Sequence, residues 1–227
     1  MTNQIEVNYI DHMGSDLSTV NAARVSFGKK SAWEEPFEDC DVSLLRLSKR
    51  DIKLIKYLAS HGHISPFGHA FASFHIKAPI FVARQLVKHS FLRWNEVSRR
   101  YVSDEPEFYV PELRSVAKDK KQGSGDVINE SITIDDTLRT AHIQALSNYN
   151  FLLRSGVCEE QARMVLPQST MTEWYWSGSL DAFARMCNLR CKPDTQAETR
   201  LVAQQIDREM MKLFPISWDA LTEIDDD

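Results

Sequence analysis

Residues 88–101 read KHSFLRWNEVSRRY. Lys88, Arg93, Arg99 and Arg100, with His89 when protonated, stand among Phe91, Trp94 and Tyr101 and beside one acid, Glu96. A guanidinium offers a planar fork of donors suited to a phosphate or a carbonyl edge. Asn95, Glu96, Ser98, Arg100 and Tyr101 crowd further hydrogen-bonding groups into the same stretch, and an acid between arginines can orient them or accept an N–H from a ligand. Three readings fit the pattern: a basic, aromatic surface for nucleic acid, a solvated ion-pair cluster, or the anion-binding wall of an active site. Just upstream, PIFVARQLVKH (79–89) reads as a helix with Pro79 in its first turn. That puts Gln85, Lys88 and His89 on one face, opposite Ile80, Ala83 and Val87. Amide, ammonium and imidazole together can hold a planar polar ligand or an anion; a solvated helix face gives the same pattern.

Other chemistries find less support. His61, His63 and His69 lie in HGHISPFGH, but their spacing matches no strong zinc signature, and Gly62, Pro66 and Gly68 mark a turn-rich loop. Cys187 and Cys191 share a helix face without a second pair, so no metal site is expected, and Cys187 reads as a small core residue. Arg190, between them, follows an apolar stripe and precedes a turn at Pro193. No glycine-rich phosphate loop and no recognisable nucleophile motif occurs in the sequence.

The chain has 227 residues and a net charge of −5, which disfavours a duplex-binding protein. Apolar residues make up 43% and charged residues 26%, ordinary values for a globular protein able to bury a sizeable core. No apolar run reaches the roughly 20 residues of a membrane span, and the N-terminus lacks a signal-peptide core. Cys40, Cys158, Cys187 and Cys191 read as reduced thiols, as expected in the cytoplasm.

The elements that must position these groups are mostly helical. Ser48 with Asp51 forms a capping box ahead of Ile52, Ile55 and Leu58. Thr133 with Asp136 opens a long helix striped by Leu138, Ala141, Ala145, Tyr149 and Leu152 and stopped by Gly156. CEEQARMVL reads as a short helix ended by Pro167, Ser179 as the cap of LDAFARMCNLR, and TQAETRLVAQQIDREMMKLF as the closing helix. Strands are expected at ASFHIKA (72–78), EFYVP (107–111) and MTEWYW (171–176). Segments 28–41 and 117–131 read as loops, the second as a mobile surface loop. Helices and strands do not alternate, so the expected class is α+β, a single domain over 1–227.

Taken in order, these stretches resemble the flavin-dependent thymidylate synthases. That family's signature is R-H-R, seven residues, then Ser, commonly within S-x-N-E-x-S-x-R-Y. Here Lys88-His89-Ser90 is followed by seven residues and Ser98, and Asn95, Glu96, Arg100 and Tyr101 also stand in place. NAARVSFGK (21–29), HGHISPFGH (61–69), FHIKAPIFVARQLVKH (74–89), GVCEEQARMVLP (156–167) and GSLDAFARMCNLR (178–190), with Gln196 and Glu198, match further family segments in order across residues 10–215.

The resemblance implies a mostly antiparallel twisted sheet flanked by helices, in a homotetramer with FAD sites between subunits. It implies methylation of dUMP to dTMP with methylenetetrahydrofolate as carbon donor and NADPH as reductant, without an enzyme nucleophile on uracil. It implies no metal, no nucleic acid and no membrane as partner. By the family pattern, Gln85, Lys88, Glu96, Ser98, Arg99, Arg100, Arg163 and Arg190 surround dUMP, with Arg99 acting mainly through its backbone. Ser26, His63, Ser65, Lys88, His89, Ser90, Asn95, Glu96, Ser179, Arg185 and Leu189 touch FAD. Arg190, Ser98 and His63 are the expected catalytic groups: Arg190 stabilises charge on the pyrimidine, and His63 is also a candidate for the folate side. Three positions depart from the pattern. Lys88 replaces the first signature Arg, Ser90 the third, and Arg93 stands where the family usually has Ser. The expectation is that Arg93 supplies the cation missing at Ser90. Two competing functions remain at this point: a catalytically silent member that binds only flavin or dUMP, and a nucleic-acid-binding module.

Overall fold

A computed structural model of the chain describes residues 5–34, 46–102, 104–118, 123–128 and 132–222. Cys40 lies outside the described residues, as do all of segment 28–41 beyond Glu34 and parts of 117–131. The elements in chain order are β1 (Glu6–Met13), α1 (Asp16–Arg24), α2 (Lys49–Ser60), β2 (Phe71–Pro79), α3 (Ile80–Leu86), β3 (Leu92–Glu96), α4 (Ile132–Arg154), α5 (Glu159–Ala162), β4 (Met171–Ser179), α6 (Leu180–Arg190), α7 (Ala197–Leu213) and α8 (Pro215–Thr222).

One antiparallel sheet runs in the order β1-β2-β4-β3. Alternation in β2 sets its two faces. Ala72, Phe74, Ile76 and Ala78 point into the core, while Ser73, His75 and Lys77 line the polar side. On β4, Trp174 and Trp176 join the buried face, and Trp94 of β3 stacks on Trp174 with centroids 4.4 Å apart. Phe183 of α6 meets Phe74 and Trp176 edge-on, which seats the helical layer on the sheet. On the polar side, Ser73 and Ser177 share a hydrogen bond, His75 pairs with Glu173 and Lys77 with Glu107.

The expected α+β class and the antiparallel sheet are both present. Ser48 caps α2 by accepting from the Asp51 amide at 3.1 Å. Asp51 also receives Arg24 from α1 and Ser31, which ties the two helices together. Asp16, at the start of α1, accepts the amides of Ile216 and Ser217 and so caps α8. Three expectations fail. EFYVP makes only an isolated bridge at Phe108, because Pro106 and Pro111 deprive the segment of ladder donors. The helix expected over 79–89 ends at Leu86, so Lys88 and Val87 are exposed and no longer lie on helical faces. Pro79 is the last residue of β2 and precedes the helix rather than entering its first turn. β1 lacks a regular apolar alternation, and β3 alternates Leu92 and Trp94 with Arg93 and Asn95 over only five residues; pairing with their neighbours defines both.

Two strands run straight into helices: β2 into α3, and β4 into α6. β4 is antiparallel to β2, so the two helices start at opposite ends of the sheet. The eleven residues of α6 span roughly 16 Å, enough to carry its last residue, Arg190, back toward the end of α3. The site is built where those two helix ends meet.

Candidate active site

Arg190 donates from Nε to His89 Nε2 at 3.0 Å and from Nη2 to the Gln85 carbonyl at 3.4 Å. The imidazole can accept only when that nitrogen is unprotonated. Burial, and then the adjacent Arg190 charge, lower the His89 pKa from 6.5 to about 4. His89 is therefore neutral at physiological pH and acts as an acceptor. Gln85 and His89 come together as expected, although through a helix end and a turn rather than a shared helical face. Their partner from α6 is the arginine singled out in the sequence.

The turn into β3 has an unusual backbone. Phe91 has φ of 66°, a left-handed conformation uncommon for a bulky residue. It lies against Gly178 of β4. A Cβ at Gly178 would meet the Phe91 carbonyl oxygen at 3.0 Å and collide with the Leu92 side chain. Glycine therefore allows the turn to lie this close to the sheet. The exposed Phe91 ring sits under the Arg185 guanidinium, 5.2 Å from its centroid, and Arg185 also pairs with Asp181 at 2.9 Å. Ser179 does not cap α6 through its side chain; its hydroxyl donates to Asp181 instead. Leu189 is half exposed near the end of the same helix.

Past the turn, Glu96 accepts from Trp94 Nε1 at 3.1 Å and from Thr172 Oγ1 at 2.8 Å. It pairs with neither Arg99 nor Arg100, which corrects the idea of an acid orienting arginines; its carboxylate is fixed from the sheet instead. Ser98 accepts from Arg100 Nε at 3.2 Å, and Arg100 lies over Tyr101. Arg99 donates to the Asp104 carbonyl at 2.7 Å, so its side chain braces the loop.

The remaining expected residues lie elsewhere on the chain. Ser26, His63 and Ser65 line a cavity of about 910 Å³ beside α2, with Phe27 and Tyr57. Across α2, a second concavity of about 520 Å³ is lined by Asp181, Arg185 and Asn188, and Tyr57 stands on the rim of both. Arg163 is exposed after α5, where its Nε donates to the Glu160 carbonyl at 3.2 Å. The sequence reading missed Thr199, a buried residue of α7 within 3.2 Å of Gln85; its only signal was its place one residue after Glu198.

Among the described residues, no group of His, Cys, Asp and Glu is placed to hold a metal ion, and no helix is long and apolar enough to cross a membrane. Cys158, Cys187 and Cys191 are free thiols, and burial pushes the Cys187 pKa up. The donor set suits a flavin dinucleotide. Lys88 and Ser90 project from the turn that carries Phe91, and Arg93 and Asn95 from the polar face of β3, with no side-chain partner among the described residues.

Comparison with known proteins agrees. Residues 8–216 match the family described as "Thymidylate synthase complementing protein". The flavin-dependent thymidylate synthase of Thermus thermophilus is 38% identical over 219 residues, covering 96% of this chain and 75% of its own length. That of Kosmotoga olearia is 38% identical over 221 residues, covering 94% and 88%. The crystal structure of the UMP/dUMP methylase PolB from Streptomyces cacaoi, bound with 5-Br dUMP, superposes with a TM-score of 0.82 at 32% identity, covering 97% of this chain and 96% of that one. The chain belongs to the flavin-dependent thymidylate synthase family.

Proposed function

We propose that this protein methylates dUMP to dTMP, taking the carbon from methylenetetrahydrofolate and the reducing equivalents from NADPH through bound FAD. The observation that carries this reading is the corner formed by Gln85, neutral His89 and Arg190. Arg190 is a fixed cation beside a neutral acceptor, so its charge is not cancelled locally. It can stabilise the negative charge that the pyrimidine develops as it is methylated. Ser98 and Arg100 form an exposed hydroxyl–guanidinium pair suited to the nucleotide phosphate, and Glu96 offers a fixed acceptor. Lys88, His89, Ser90, Asn95, Arg185, Ser179 and Leu189 would hold the flavin, with Ser26, His63 and Ser65 forming its other wall. Flavin, when bound, supplies the hydride chemistry.

The chain acts as one domain, in the cytoplasm, and assembles as a homotetramer with sites shared between subunits. Support for sharing comes from the distribution of the expected groups. The cavity of Ser26, His63 and Ser65 includes none of Gln85, His89, Arg190 and Arg163. A second copy bringing one set against the other would complete the site.

The test is turnover by the FAD-loaded protein with methylenetetrahydrofolate and NADPH, offering dUMP and UMP in parallel. dTMP from dUMP supports the proposal. Reduced flavin with no methylated product favours a protein that only binds its ligands. Salt-sensitive oligonucleotide binding by a colourless protein would replace the reading with a nucleic-acid function. For shared sites, a His63→Ala chain mixed with an Arg190→Ala chain regains activity; activity that never returns on mixing argues for sites within one chain.

A further inference from the structure

Gln85 stands one residue before the end of α3, and α7 holds its amide from two sides. Thr199 Oγ1 donates to Gln85 Oε1 at 3.2 Å, and Gln85 Nε2 donates to Gln196 Oε1 at 2.6 Å. Thr199 is fully buried, whereas Gln85 is half buried and Gln196 exposed. A buried hydroxyl is costly without a partner, and here Thr199 gives its O–H to the amide oxygen while Gln196 takes an N–H from the other side, so the two contacts together set which way the amide faces. An amide has one oxygen and two N–H groups. With the oxygen turned toward Thr199, one N–H goes to Gln196 and the other is free for a ligand. Arg190, bonded to the carbonyl of the same Gln85, also brings only donors.

We infer that Thr199 is a positioning residue for the nucleotide. It locks the Gln85 amide so that Gln85 meets the substrate as a donor to an acceptor oxygen, on the base or on the phosphate. The inference rests on the reading that Gln85 touches dUMP. Without the hydroxyl the amide is free to turn over and set oxygen against oxygen.

The experiment measures KM and kcat for dUMP, with a calorimetric Kd, in the FAD-loaded enzyme and its Thr199→Val, Thr199→Ser, Gln85→Ala and Gln85→Ala/Thr199→Val variants. Thr199→Val is expected to raise KM and Kd about ten-fold while leaving kcat nearly unchanged. Thr199→Ser restores both, and Thr199→Val adds nothing once Gln85 is Ala. Deoxyuridine binding separates the two sources of the oxygen: it weakens in Thr199→Val if the partner is on the base, and holds if the partner is a phosphate oxygen. An unchanged KM in Thr199→Val, or an equal loss in Thr199→Ser, overturns the inference. If Gln85→Ala raises KM and Thr199→Val does not, only the positioning role falls. If Gln85→Ala leaves KM unchanged, the nucleotide placement falls and the inference with it.

Discussion

The contact between His89 and Arg190 makes the protein's stability depend on pH in a defined window. Protonation of His89 removes the lone pair that Arg190 Nε donates to at 3.0 Å and sets two cations against each other. The other ring facing it is Trp176, 6.5 Å away and uncharged, so no carboxylate among the described contacts compensates. Burial and Arg190 hold the pKa at about 4, against 6.5 in the unfolded chain. Above pH 6.5 both states carry a neutral ring and the full stability is present. Between pH 6.5 and 4 the unfolded chain takes up a proton that the folded chain refuses, so stability falls as pH falls. The full displacement corresponds to about 3 kcal/mol. Solvent reaches one side of the ring, which leaves about 1.5 kcal/mol. The assay is urea unfolding at pH 7.5, 5.5 and 4.5 for the wild type and for His89→Gln, whose amide accepts from Arg190 but does not titrate. The wild type should lose about 1.5 kcal/mol more than the variant across that range. Parallel losses, or a His89 ring signal that titrates near pH 6.5, would refute the reasoning.

Three further outcomes follow from other contacts. Gly178→Ala should push the Phe91–Leu92 turn off β4 and lower flavin loading several-fold, measured by flavin absorbance per protein after gel filtration; loading equal to wild type would show the close approach is not needed. Burial raises the Asp51 pKa, but hydrogen bonds from Arg24, Ser48 and Ser31 outweigh it and hold the carboxyl below its ordinary range. Asp51→Asn should therefore cost about 3 kcal/mol at pH 7 by thermal unfolding, and progressively less as pH falls into the acidic range; a loss independent of pH would contradict the charge-based account. If Arg93 supplies the cation missing at Ser90, the double change Ser90→Arg with Arg93→Ser should leave flavin affinity within about three-fold, whereas Arg93→Ser alone should weaken it about ten-fold by fluorescence titration. A collapse of affinity in the double variant would end that idea.

Much of this was legible in the sequence for identifiable reasons. α2 and α6 announced themselves because apolar stripes are local signals, and α2 has a side-chain cap as well. Ser48 with Asp51 marked the start of α2 and does cap it. Gln85, His89 and Arg190 were each named from residue type and resemblance, and they meet. The mode of meeting was not legible, because the left-handed turn at Phe91 that follows α3 lies in close packing against Gly178, a contact distant in sequence. β1 was missed because its pattern is almost entirely exposed, and β3 because it is only five residues long; pairing to β2 and β4 defines them. Glu96 was read as an acid that orients arginines or accepts an N–H from a ligand; the first fails, because strand alternation turns it to the tryptophan side, toward Trp94 and Thr172. Thr199 carried no local signal at all: a buried threonine matters only through what lies against it.

The central claim is methylation of a pyrimidine nucleotide by a flavin-loaded protein. The most direct measurement is anaerobic incubation of the FAD-loaded chain with dUMP, methylenetetrahydrofolate and NADPH, with the nucleotides separated and weighed by mass spectrometry. The account predicts dTMP, formed only when flavin and NADPH are both present and lost in Arg190→Ala. Bound flavin that NADPH reduces while dUMP remains unmethylated would contradict it.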